Sequence, residues 1–224
     1  MKTRRFFLSV VFCFTLLGNA KEKHLFILSG QSNMALMRPA VSFTPTVKKS
    51  LGNDNVIIVH HAKGTKEISR WYKKWKPAKG PAPQGTGEIY DELMAMVKQE
   101  IKGKKIATVT FLWMQGERDA KLQYGDVYLK SLKGVMKQLS DDLGRDDINL
   151  VVGRINDFGM SNKSHPHWTK VRDAQVKIAE SMPNAAWIDT DDLNGKANGI
   201  HATGHGYKVM GRRFAEKALE LIKK

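Results

Sequence analysis

Three short segments of the chain carry residue types that together can cleave an ester, and each follows a run that reads as a β-strand. The first is Ser29-Gly30-Gln31-Ser32-Asn33-Met34. A serine just past a strand, where a helix begins, presents its hydroxyl at the sheet edge, and backbone N–H groups there point toward developing negative charge. Serine alone is a weak nucleophile and needs a base within hydrogen-bond reach. The last segment, Asn198-Gly199-Ile200-His201-Ala202-Thr203, offers an imidazole for that task. The middle segment, Trp113-Met114-Gln115-Gly116-Glu117-Arg118-Asp119, adds an amide, a glycine and two carboxylates.

Each segment has a plainer reading. Ser32 suits a turn with a helix cap. His201 suits a surface loop, or with His205 half of a metal pair, although no H-E-x-x-H pattern accompanies them. Residues 113–119 suit a polar turn capping the next helix. The coincidence of all three at one edge of one sheet favours chemistry.

The elements that must position these residues are legible as hydrophobic runs. Residues 24–29, 56–60, 106–113, 148–153 and 185–189 are apolar and nearly continuous rather than alternating. That is the pattern of strands covered on both faces, as in a parallel sheet. Helical periodicity fills the intervals. Residues 88–101 place Ile89, Leu93, Met96 and Val97 on one stripe, and 127–143, 168–181 and 207–222 behave alike. Strand–helix alternation predicts right-handed crossovers and an α/β fold, a three-layer α/β/α sandwich around a five-stranded parallel sheet. Ligands in such folds sit beyond the carboxyl ends of the strands. Residues 36–55 and 61–87 are expected to be long loops shaping that edge.

With Gly-Gln-Ser-Asn-Met early, Gln-Gly-Glu-x-Asp in the middle and Gly-Ile-His near the end, the chain resembles the SGNH hydrolase superfamily. It is most similar to the branch of sialate O-acetylesterase-like proteins and acetylxylan esterases, from about residue 24 onward. The resemblance implies a flavodoxin-like sheet order and a role for each matching residue. Ser32 matches the nucleophile and His201 the general base. Gly64, in Ala62-Lys63-Gly64-Thr65, and Gln115 match two donors of the oxyanion hole, with the N–H of Ser32 as a third. No metal or organic cofactor is implied.

Two positions depart from the family. Asn198 stands where relatives carry the aspartate that orients the histidine, a change that in a triad enzyme costs about 10⁴ in rate. Glu117 is the first substitute for that carboxylate, with Asp191 and Asp192 behind it. Glu117 equally suits a structural role, anchoring loops through Arg118 or Arg154. Met114 stands where relatives often have histidine. The expectation is a serine esterase removing O-acetyl groups from carbohydrate through Ser32, His201 and Glu117. The alternative is a catalytically weak, carbohydrate-binding relative.

Composition bounds the rest. The 224 residues suit one domain, placed at 21–224. Residues 1–20 read as a signal peptide: Lys2, Arg4 and Arg5, an apolar run over 6–17, then Gly18-Asn19-Ala20. Its removal predicts a secreted or periplasmic protein with no membrane insertion. Removal also takes away Cys13, the only cysteine, and excludes thiol chemistry. The net charge falls from +15 to +12 as those three bases leave, which suits an acetylated, anionic oligo- or polysaccharide. Residues 61–80 mix Lys63, Lys66, Arg70, Lys73, Lys74, Lys76 and Lys79 with Trp71, Tyr72 and Trp75. These aromatics suit either stacking on sugars or anchoring the loop. Single-stranded nucleic acid also fits such mixing, but export argues against it. No G-x-S-x-G elbow, Walker loop or dinucleotide fingerprint occurs.

Overall fold

The computed structural model describes residues 22–81 and 83–223, so the expected signal peptide lies outside the described residues. Five strands form one sheet: β1 (Lys23–Gly30), β2 (Val56–Ala62), β3 (Ile106–Met114), β4 (Asn149–Gly153) and β5 (Ala185–Ile188), in the order β2-β1-β3-β4-β5. Every neighbouring pair is parallel. Leu25, Phe26, Ile27 and Leu28 of the interior strand β1 are all buried, as are Leu150, Val151 and Val152 of β4. A strand with no solvent face has no polar alternation, which is why these runs read as continuous. The edge strand β2 alternates buried with half-buried positions.

The helices are α1 (Ser32–Leu36), α2 (Phe43–Leu51), α3 (Glu88–Ile101), α4 (Glu117–Lys121), α5 (Gly125–Leu143), α6 (Trp168–Glu180) and α7 (Gly204–Ile222). Helices α2 and α7 pack on each other, as do α5 and α6. The chain steps from β1 outward to β2, then back across to β3 and onward to β5. Right-handed crossovers in opposite directions along a sheet put their helices on opposite faces, which completes the expected three-layer sandwich. The reversal occurs at β1, so the carboxyl ends of β1 and β3 flank the switch point where doubly wound sheets bind ligands.

One expectation is corrected. Residues 36–55 are not a plain loop but hold α2, which buries Phe43 and Val47. Pro45 masks this helix in the sequence, yet it sits in the first turn, where its missing N–H has no intrahelical partner to lose.

The basic 61–80 stretch is held by its aromatics. Trp71 is fully buried; it donates from Nε1 to Ser29 Oγ at 2.9 Å and packs edge-on against Trp113. Trp75 is buried edge-on against Tyr124. Both indoles are therefore anchors and offer no free face to a sugar. Several bases of the stretch meet acids, Lys63 with Glu92, Arg70 with Glu88 and Lys73 with Asp91. Among the described residues no helix is long and apolar enough to cross a membrane.

Candidate active site

Register brings three loops level. Gly30 of β1 lies opposite Ala62 of β2 and Met114 of β3. Two residues beyond each stand Ser32, Gly64 and Gly116. Gly30 makes this alignment possible: its φ is +146°, and a Cβ there would sit 2.0 Å from the Met114 carbonyl oxygen. That same carbonyl accepts the Gln31 N–H at 2.9 Å. Only glycine lets the two strand ends approach so closely.

Ser32 is the first residue of α1 and half-buried. His201 lies in the exposed turn before α7, and its Nε2 stands 3.0 Å from Ser32 Oγ. The pair expected from sequence thus meets at one rim of the sheet. Gly64 adjoins it, since a Cβ on Gly64 would lie 3.8 Å from the Ser32 Cβ. Among the described residues, neither the Ser32 nor the Gly64 backbone N–H has an acceptor within the protein. Two unspent donors beside a nucleophilic hydroxyl are what an oxyanion pocket needs.

Gln115 departs from its expected position. Its side chain is fully buried, and Nε2 donates to Lys66 O at 3.0 Å, to Gln31 Oε1 at 3.3 Å and to Asp119 Oδ2. The amide hydrogens therefore face the interior and brace the 63–68 loop instead of facing Ser32. Asp119 completes the brace by accepting the Ile68 N–H at 2.9 Å. Burial, opposed by those two hydrogen bonds, pushes the Asp119 carboxyl up to about 7.

The contact expected between Glu117 and His201 is not made. Glu117 is buried, and its Oε1 accepts from Asn33 Nδ2 at 2.8 Å. Burial pushes its pKa up, partly offset by backbone N–H groups and that amide. Asp191 and Asp192 do not reach the imidazole either. Asp191 is held by Arg172 and Arg154, and Asp192 by Arg213. The anchoring role weighed for Glu117 is real, but its partner is Asn33 and not an arginine. Asn198 turns away: its Oδ1 accepts from Asn194 Nδ2 at 2.6 Å, on a backbone at φ +44°.

Sequence reading passed over the residues on either side of the nucleophile. Gln31 Oε1 accepts from the N–H groups of Gly116 and Arg118 at 3.3 and 3.2 Å, tying Ser32 to the third-strand segment. Asn33 ties Ser32 to the last segment. Its Nδ2 donates to Ile200 O at 3.0 Å, and its Oδ1 accepts from Ala202 N and from the Tyr207 hydroxyl, both at 3.1 Å. The available signal was the alternation Gln-Ser-Asn itself, two amides flanking one hydroxyl. Between the α1 end and the start of α7 lies a groove of about 410 Å³ lined by Ala35, Leu36, Arg38, Val41, Tyr207 and Lys208, with neither Ser32 nor His201 in its lining.

The five-stranded parallel sheet flanked by helices has the three-layer α/β fold of the SGNH hydrolases, a fold also seen in the lipase/acylhydrolase from Enterococcus faecalis (12% identical, TM-score 0.51, over 91% of this chain and 96% of that one). The chain belongs to the family described as carbohydrate esterase, sialic acid-specific acetylesterase, which it matches over residues 36–220. It is a carboxylic ester hydrolase of the carbohydrate esterases. The matched span takes in Gln115, Glu117 and His201 and begins after Ser32.

Solved structures agree in fold. A protein from Arabidopsis thaliana is 19% identical with a TM-score of 0.70, over 89% of this chain and 99% of that one. A carbohydrate acetylesterase from Xanthomonas citri is 14% identical with a TM-score of 0.65, over 89% of this chain and 56% of that one. A member of the lipolytic G-D-S-L family from Veillonella parvula is 16% identical with a TM-score of 0.54, over 90% of this chain and 99% of that one. A search of curated proteins finds no match to the chain.

Proposed function

We propose that this esterase removes small acyl groups, acetyl above all, from hydroxyls of a carbohydrate by a two-step acyl transfer through Ser32. The observation that carries the reading is the 3.0 Å separation of His201 Nε2 and Ser32 Oγ beside two unspent backbone donors. His201 takes the Ser32 proton as Oγ attacks the acyl carbonyl carbon. The oxyanion forms against the N–H groups of Ser32 and Gly64. Collapse expels the sugar oxygen, which receives the proton from the His201 imidazolium. Water, deprotonated by the same imidazole, then releases the acyl group and restores Ser32.

The substrate side of the reading rests on the groove and the charge. Arg38 and Lys208 share a groove with the apolar Leu36 and Val41, on a chain whose net charge is +12 once residues 1–20 are removed. An acetylated sugar bearing carboxylate or sulfate suits that surface. Export through the N-terminal segment would bring the enzyme to such polymers outside the cytoplasm. Acetate release measured on acetylated xylan, acetylated pectin and O-acetylated sialic acid tests the substrate. The reading stands if at least one is deacetylated by wild type and none by Ser32→Ala, and it fails if the two proteins release acetate equally.

A second reading is favoured by one observation: among the described residues no carboxylate bonds the His201 imidazole. It makes the chain a carbohydrate binder with vestigial turnover. Absence of fluorophosphonate labelling at Ser32, with retained polysaccharide binding, would establish it; stoichiometric labelling would dismiss it.

A further inference from the structure

We infer that Asn33 is the positioning residue for the catalytic base: its side-chain amide clasps the peptides on both sides of His201 and is itself anchored by Glu117. The inference rests on the Ser32–His201 mechanism proposed above. Four hydrogen bonds converge on this one amide, which is 2% exposed. Ile200 O and Ala202 N are the backbone groups immediately before and after His201. A single side chain that holds both fixes where the imidazole leaves the backbone. Asn33 is also the chain neighbour of Ser32, so nucleophile and base are referenced to one rigid point. A displacement of about 1 Å between reacting groups costs about 10² in rate.

The backbone decides which way the amide faces, and Glu117 reinforces it. Ile200 O can only accept and Ala202 N can only donate, so Nδ2 turns to that carbonyl and to Glu117 Oε1, and Oδ1 turns to Ala202 N and the Tyr207 hydroxyl. The opposite amide orientation would set carbonyl against carboxylate and N–H against N–H. Burial and nearby Glu117 raise the Tyr207 hydroxyl to about 12, which keeps it a donor. Glu117 therefore acts on His201 at one remove, through an amide, where a carboxylate touching the ring would act directly.

The test is a double-variant cycle on p-nitrophenyl acetate with kcat and KM separated. Asn33→Ala is expected to lower kcat about 10²-fold with KM within about threefold of wild type. Glu117→Gln alone is expected to lower kcat about tenfold, by weakening the hydrogen bond that anchors the amide. The double variant is expected to match Asn33→Ala, since with no amide present Glu117 has nothing to anchor. Additive losses, or folded Asn33→Ala at full kcat, would overturn the inference. Should Asn33→Ala fail to fold, Tyr207→Phe carries the same question. It removes one donor to Asn33 Oδ1 and is expected to lower kcat several-fold at constant KM, while an unchanged kcat overturns the clasp. An inactive wild type sinks the esterase mechanism and this inference together, whereas an active wild type with an equally active Asn33→Ala sinks the inference alone.

Discussion

His201 Nε2 lies 3.0 Å from Ser32 Oγ across a sequence separation of 169 residues. At that distance the imidazole is within reach to take the hydroxyl proton, as the proposed mechanism requires. Ser32→Ala and His201→Ala are each expected to lower kcat/KM on p-nitrophenyl acetate by about 10⁴-fold or more. Circular dichroism should remain that of the wild type, because neither side chain lies in the core. Activity within tenfold of wild type in either folded variant would remove that residue from the mechanism.

Asn198 stands where the sequence resemblance leads us to expect a carboxylate, and its side chain reaches Asn194 and not the imidazole. Aspartate there can accept the same Asn194 hydrogen bond. Asn198→Asp is therefore expected to change kcat/KM by less than about threefold, as an exposed substitution does. A gain of about 10²-fold would mean that the turn swings to bring the new carboxylate onto His201, and that direct orientation outweighs the backbone clasp.

Gly30 is the point at which β1 and β3 come closest beneath the site. With φ at +146° and the Met114 carbonyl in the way of any Cβ, Gly30→Ala must deform backbone, since no flexible side chain can yield. A loss above about 3 kcal/mol is expected from combined strain and clash. Urea denaturation monitored by tryptophan fluorescence measures it; a loss below about 1 kcal/mol would refute the close-approach account.

Asp119 ties stability to pH. Its folded pKa, raised to about 7 mainly by burial, lies above the unfolded value of about 3.9. The folded state therefore binds the proton more tightly, and stability from this group is complete below about pH 4 and lost as pH rises through about 7. Asp119→Asn stays neutral at every pH. The urea midpoint of wild type relative to that variant is expected to fall between pH 5 and pH 8. A difference independent of pH would show that Asp119 titrates normally.

The strands and the large helices were legible because burial on both faces leaves uninterrupted apolar runs, and burial on one face leaves a 3.6-residue stripe. Helix α2 was hidden by Pro45, which as a residue type argues for a turn and by position is harmless. The reacting pair was legible from Ser32 and His201 together with their places after strands. Its support was not. Motif logic looks for a charge beside an imidazole, whereas here the link runs Glu117 to Asn33 to peptide. Asn33 carries no charge and has no periodicity that would announce a contact 167 residues away with Ile200. The direction of the Gln115 amide was equally invisible, because a composition cannot say that Asp119 will face it in the interior. Trp71 and Trp75 could be placed on either side of the surface until their ring neighbours, Trp113 and Tyr124, were known.

The proposed nucleophile follows the first strand and the proposed base follows the last, and α7, which closes the turn holding His201, buries Met210, Phe214 and Ala218. A nascent chain that has not yet docked this helix has a serine with nothing to deprotonate it. Hydrolytic competence then waits on that docking, and recovery of turnover during refolding should trail the recovery of secondary structure.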